Sequence, residues 1–193
     1  VLVVGSFTKN YFNKNLKSVT LTEADETNFF NLKKKFSSNK KIKISKKGIK
    51  QIEGKFDTII YLHVLEHIKN DLNEIKEATK KLNKNGHLVI MVPAHKKIYG
   101  NLDKAVGHFR RYEISFFKKG FKSLEKINIK FLDTLGYFLY YLNKLIFKKE
   151  VYPSKIKIFI WDKVFTPLTV LIDFIFGYKY GKCILGIYRK SSE

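Results

Sequence analysis

Phe56-Asp57-Thr58-Ile59-Ile60-Tyr61-Leu62 runs directly into His63-Val64-Leu65-Glu66-His67-Ile68, and this junction decides how the chain is read. The first run is short, apolar and rich in β-branched and aromatic side chains, the pattern of a strand buried in a parallel sheet. The turn that follows places a carboxylate between imidazoles. In an open parallel sheet, ligands collect outside the carboxyl ends of the strands, where this turn would lie. Downstream, Asn70-Asp71-Leu72 opens a helix with Leu72, Ile75, Ala78, Thr79 and Leu82 on one face, and Asn85-Gly86 is expected to stop it. His87-Leu88-Val89-Ile90-Met91-Val92-Pro93 is then a second buried strand. Strand, helix, strand is the crossover unit of a parallel sheet.

Working outward, Val1-Leu2-Val3-Val4-Gly5 reads as a further parallel strand entering a loop. A short strand over Ser18 to Thr22 ends at Glu23-Ala24-Asp25, and Thr27 can cap the helix carrying Phe29, Phe30, Leu32 and Phe36. Lys41 to Ile44 alternates and belongs nearer a sheet edge. Beyond Pro93 come a long polar loop, a helix near Ser115 to Phe121 and a strand from Lys126 to Phe131. Leu135 to Phe147 and Ile156 to Phe176 are aromatic-rich helices, and Cys183 to Tyr188 is a last strand. Asp162, Pro167 and Asp173 in the second helix argue against a bilayer-spanning segment. These helices are expected to cap the sheet and wall a substrate pocket, with docking to a lipid surface as the other reading. Starting in mid-strand at Val1, the sequence reads as a fragment whose upstream helix is missing.

At 193 residues the chain suits a single domain that buries a core without disulfides or a structural metal. A formal charge of +21 would suggest nucleic acid or an anionic surface. The basic residues are scattered, however, and only Arg110, Arg111 and Arg189 are arginine, a pattern better explained by lysine-favouring compositional bias. Nucleic acid is therefore not the expected partner. The lone Cys183 reads as a small core residue. No leader peptide is visible, which makes the cytoplasm the expected compartment.

The VLEHI turn after its strand, the following helix, and Asn85 to Pro93 resemble class I S-adenosylmethionine-dependent methyltransferases. Pro93-Ala94-His95 through Tyr99-Gly100 to Gly107-His108-Phe109-Arg110-Arg111-Tyr112 resembles the substrate loop of the bacterial small-molecule branch, found with sugar, lipid and cell-envelope biosynthesis. The resemblance implies an α/β, Rossmann-like, mostly parallel sheet with an antiparallel last strand and extra C-terminal helices. Residues 1–92 would form the cofactor-binding half, and 93–193 the substrate loop, capping helices and last strands. It implies S-adenosylmethionine as cofactor and methyl transfer to a small sugar, lipid-linked or envelope-precursor acceptor, with possible peripheral membrane contact. The first loop departs from the family: Val3 replaces an acid, and Phe7 and Lys9 replace glycines that let backbone approach the cofactor. A degenerate methyltransferase-like domain that binds a ligand, partner or membrane surface is the alternative.

Gly5, Glu23, His63, Val64 and Glu66 are the cofactor-binding candidates, with Glu23 placed by its strand end to accept hydrogen bonds from ribose hydroxyls. Glu23 could equally be an exposed acid at a helix start. By the resemblance, His67 is the candidate general base, its imidazole suited to take a proton from an attacking hydroxyl; helix capping is the plainer role. His95, Tyr99, His108, Arg110, Arg111 and Tyr112 are the substrate-binding candidates. Arginine's planar fork suits carboxylate or phosphate, unless the pair answers acidic neighbours such as Glu113. Asp103 could be a turn residue. No metal is expected, because His63 and His67 are split by a strand-to-helix turn.

Overall fold

The computed structural model describes residues 16–146, 159 and 161–191. The strand expected at Val1 to Gly5, with Phe7 and Lys9, lies outside the described residues. Among the described residues the strands form two sets. β1 (Val19–Thr22) and β2 (Ile42–Ser45) pair in parallel, while β3 (Phe56–Leu62), β4 (Leu82–Pro93), β6 (Cys183–Lys190) and β5 (Leu124–Leu132) form a four-stranded sheet in that order. β3 and β4 are parallel, and β6 runs antiparallel to both β4 and β5. The last strand is therefore antiparallel, as expected, and it is inserted between β4 and β5.

Helix α1 (Glu26–Lys35) follows β1 and buries Phe29 and Leu32, while Phe30 faces solvent. Its cap is Asp25, whose carboxylate accepts from the Asn28 amide at 2.8 Å; Thr27 lies inside the helix. Asp25 holds the extended backbone a cap needs, which displaces Thr27 from that role. Helix α2 (Asp71–Lys81) is capped by Asn70 and buries Ile75 and Ala78 between β3 and β4. It ends earlier than expected. Leu82 leaves the helix, pairs with Phe56 and is 1 % exposed, so the chain enters the sheet before Asn85-Gly86. Leu72, expected on the apolar face, is exposed, and Asp71 is buried in its place.

Asn85 takes a left-handed backbone (φ 59°), and Gly86 crosses close to β3. A Cβ at Gly86 would lie 2.9 Å from the Asn83 carbonyl oxygen and 3.1 Å from that of Phe56. Both obstacles are backbone and cannot rotate away. Gly86→Ala is expected to cost about 1–3 kcal/mol through local overpacking, measured by urea unfolding. A loss below about 0.5 kcal/mol, the range of an inert surface change, would show that the strands can part at this crossing.

The core lies between the four-stranded sheet and its helices, where Ile59, Leu65, Ala78, Leu88, Ile90, Val92, Phe117, Ile184 and Tyr188 are buried. Past β4, the chain forms α3 (Asn101–Ala105) and α4 (Ile114–Lys119) before β5. Helix α5 (Thr134–Ile146) follows β5, and a π-helical turn at Trp161–Phe165 leads into α6 (Thr166–Ile175). Asp173 on α6 is buried because its two oxygens accept the Asp133 and Thr134 amides at 2.9 and 2.7 Å, satisfying donors at the start of α5. No helix among the described residues is long and apolar enough to cross a membrane.

Candidate active site

The carboxyl ends of β3 and β4 both terminate in a histidine with left-handed backbone, His63 at φ 52° and His95 at φ 64°. Positive φ is uncommon for any residue other than glycine, although histidine adopts it more often than most. It persists because each end is tied: the His63 amide donates to Met91 and the His95 amide to Tyr112, both at 2.8 Å. Strain of this kind concentrates at functional turns. After His63, Val64 packs into the core and a single 3-10 turn, Leu65–His67, points Glu66 inward and His67 outward.

Glu66 is fully buried. One carboxylate oxygen, Oε1, lies 3.3 Å from His63 Nδ1 and 4.0 Å from His108 Nε2, while Oε2 has no hydrogen-bond partner among the described residues. The loop covers it, since the Phe109 amide donates to the Glu66 carbonyl at 2.7 Å. The His67 and His108 rings meet edge to face with centroids 4.6 Å apart. Two imidazoles and a buried carboxylate thus share one corner at the sheet's carboxyl edge.

The loop that carries His108 is built around Asp103, which is 2 % exposed. Its Oδ1 accepts from His108 Nδ1 and from Arg111 Nε, each at 2.8 Å, and its Oδ2 accepts the Gly100 amide at 2.9 Å. Burial would raise the Asp103 pKa, but the hydrogen bonds from His108, Arg111 and Gly100 outweigh it and hold the carboxyl below the usual aspartate range. Asp103 is therefore the hub of the loop as well as part of its turn. With Nδ1 directed at the Asp103 carboxylate, His108 turns its Nε2 toward Glu66.

The loop arginines have different partners from those anticipated. Arg111 is buried against Asp103 and also donates to the Ala94 carbonyl, so its fork anchors the loop instead of facing an acceptor. Arg110 pairs with Asp71 at 2.9 Å and donates to the Lys69 carbonyl. Glu113, the neighbour proposed for them in sequence, accepts the Lys96 amide instead. Tyr112 is likewise buried, its hydroxyl donating to Asp71 Oδ2 at 2.7 Å and close to the Leu65 carbonyl; burial and Asp71 raise its pKa far above the ordinary tyrosine value. At these positions the polar groups named are held by partners within the protein. Tyr99 donates to the His108 carbonyl at 2.7 Å. His95 lies 2.8 Å from the Gly181 carbonyl through Nε2 and stacks on Phe131, placing it between the loop and the chain entering β6.

Cys183 is half-buried at the start of β6, with Sγ 3.9 Å from His63 Nε2. Burial opposes a charge on His63, but Cys183 and Glu66 outweigh it and raise its pKa to about 10. The sequence reading of Cys183 as core filler missed this contact, because 120 residues separate the pair. Glu23 stands just past β1, half-buried, with its amide bonded to the Ser45 carbonyl and Oε1 accepting the Asp25 amide at 2.9 Å. That leaves acceptor capacity on the carboxylate for a second donor. Gly5 lies outside the described residues.

A family model described as a methyltransferase domain matches residues 6–123, more than half of the chain. The chain belongs to this methyltransferase family. Its α/β sheet, with antiparallel β6 and added C-terminal helices, is the class I, Rossmann-like methyltransferase fold. Among solved structures it is similar to the N-methyltransferase NodS from Bradyrhizobium japonicum WM9 in complex with S-adenosylhomocysteine, at 14% identity, TM-score 0.58, covering 97% of this chain and 73% of that one. A putative methyltransferase from Bacillus halodurans C-125 is similar at 15% identity and TM-score 0.62, covering 97% and 89%. The [4+2]-cyclase SpnF is similar at 11% identity and TM-score 0.63, covering 98% and 72%. At these identities the likeness is one of fold. No curated protein matches the chain in sequence. Membership in the family supports S-adenosylmethionine-dependent methyl transfer.

Proposed function

We propose that this methyltransferase acts on a small sugar, lipid-linked or cell-envelope precursor, methylating a polar atom delivered to the corner formed by Glu66, His67 and His108. The observation that carries the reading is that corner: two imidazoles and a fully buried carboxylate at the carboxyl edge of a parallel pair of strands, covered by the loop. S-adenosylmethionine, when bound, supplies a methyl group already activated by a positive sulfur. The chain's task is then alignment, desolvation and handling of one proton.

Glu23 would hold the ribose hydroxyls, and His63, Val64 and Glu66 would border the cofactor, with Gly5 on the loop before them. His67 is exposed and takes the acceptor's proton, with the Glu66 carboxylate buried beside it. His108, oriented by Asp103, offers Nε2 to the acceptor. Tyr99, His95, Arg110, Arg111 and Tyr112 serve the acceptor indirectly, by fixing the loop. A lipid-linked acceptor is supported by the outward Val170, Leu171, Phe174 and Ile175 of α6, which would rest on a membrane surface at its cytoplasmic side.

Calorimetric titration with S-adenosylhomocysteine tests the cofactor assignment. The full chain is expected to bind, and Glu23→Ala to bind about tenfold to a hundredfold more weakly, the loss of charge-assisted hydrogen bonds worth roughly 1.5–3 kcal/mol. No binding by the folded full chain would replace this reading with the alternative, a methyltransferase fold retained for binding alone. The similarity to a cyclase shows that the fold by itself does not choose.

A further inference from the structure

Among the described residues, Glu66, His67 and His108 form a cluster of metal-ligating groups, each offering one ligand atom within 4.8 Å of the others. Three independent features of this corner point the same way. Glu66 is fully buried, and while its Oε1 meets His63 Nδ1 at 3.3 Å, Oε2 has no hydrogen-bond partner among the described residues, leaving a buried acceptor that a cation would satisfy. His108 donates Nδ1 to Asp103, whose ionised form is secured by Arg111. A carboxylate behind one ring nitrogen is the usual way a protein fixes a histidine as a metal ligand through the other. Finally, His108 Nε2 faces Glu66 Oε1 across 4.0 Å, so that in the neutral tautomer two lone pairs oppose each other with room for a positive species between them.

We infer that Glu66, His67 and His108 bind a first-row divalent cation, with Asp103 as the outer partner that orients His108. Two imidazoles and one carboxylate suit zinc or its neighbours in the series better than magnesium or calcium, which prefer all-oxygen sites. Ligand bonds of about 2.1 Å separate neighbouring ligand atoms by roughly 3.0–3.4 Å, so the site closes by small side-chain rotations. His67 is exposed and free to make its share of that movement. The open positions of such a cation would face the acceptor, and a hydroxyl bound there would release its proton to solvent water more readily. The inference deepens the proposed function by giving the acceptor an oxygen that coordinates metal, and His67 is then a ligand in place of a base. Cation binding itself requires neither cofactor nor acceptor.

The test uses the full chain alone, stripped with chelator and titrated with Co²⁺ while visible absorption is recorded. One equivalent is expected to bind with a dissociation constant in the micromolar range or below, giving ligand-field bands that Zn²⁺ abolishes. His67→Ala, which removes an exposed side chain, is expected to weaken binding at least tenfold, as is His108→Ala. Cys183→Ser is expected to leave both the bands and the affinity unchanged. The inference is overturned if no Co²⁺ or Zn²⁺ binds below millimolar concentration. It is equally overturned if binding survives both histidine substitutions or depends on Cys183. S-adenosylhomocysteine titration of the same samples reads the cofactor assignment separately, so the two can fail independently.

Discussion

Asp103→Ala is expected to lower the folding stability of this methyltransferase by about 3–5 kcal/mol, the cost of breaking a buried ion pair and leaving its partner uncompensated. Arg111 is 4 % exposed and pairs with Asp103 at 2.8 Å, so the substitution strands a guanidinium where water cannot reach it. The same change releases His108 and the Gly100 amide, both of which donate to Asp103. Against a total stability of roughly 5–15 kcal/mol this is a large fraction, visible as a fall in Tm of about 10 °C or more. Asp103→Leu combined with Arg111→Met should recover much of the loss, since an apolar pair avoids the desolvation that the ionic pair incurs. A single-variant loss below about 1 kcal/mol, the level of a surface ion pair, would mean that the loop does not depend on this hub. The pH dependence has a definite sign. Asp103 has its pKa depressed on folding, so its contribution is present above the ordinary aspartate value of 3.8 and is lost as pH falls through the lower, folded value. The variant should therefore show a flatter stability curve across that acid range than the parent.

The second large effect falls on turnover. His67→Ala is expected to reduce kcat by about 10²–10⁴, the usual contribution of a positioned proton acceptor, while S-adenosylhomocysteine affinity changes less than about twofold. The separation follows from placement: His67 meets His108 on the loop side of the turn, whereas His63 and Glu23 border the proposed cofactor positions. Two further measurements divide the roles available to His67. A base leaves a variant whose residual rate rises with pH as acceptor ionises in solution; a metal ligand leaves one whose rate recovers with excess Zn²⁺ or Co²⁺. Wild-type kcat in the variant would remove His67 from both roles.

Strand and helix identities were largely legible because their cause is local. The apolar run at Phe56 to Leu62 and the alternating burial from Ile59 to Leu62 follow from side-chain chemistry and the strand's two-residue repeat. Boundaries were less legible where packing overrides punctuation. Leu82 left α2 before the Asn85-Gly86 signal because pairing with Phe56 buried it in the sheet. Asp71 displaced Leu72 from the interior because Tyr112 and Arg110, some forty residues away, converge on its carboxylate. The arginine pair stood out against a lysine-rich background, but composition carries no information about what each guanidinium meets.

The antiparallel return of the last strand was implied by the resemblance to class I methyltransferases, whereas from residue order alone came the α/β class, the parallel crossover between β3 and β4, and the turn that follows β3. Those depend on periodicity and turn chemistry within short windows. Only the three-dimensional packing decided that Asp103 anchors Arg111, that Cys183 lies beside His63, and that His108 faces Glu66. The contacts of Asp103 and His108 depend on the loop returning to the end of β4 through the Ala94 to Tyr112 bridge, and that of Cys183 on the pairing of β6 with β4, which sets Cys183 opposite Pro93.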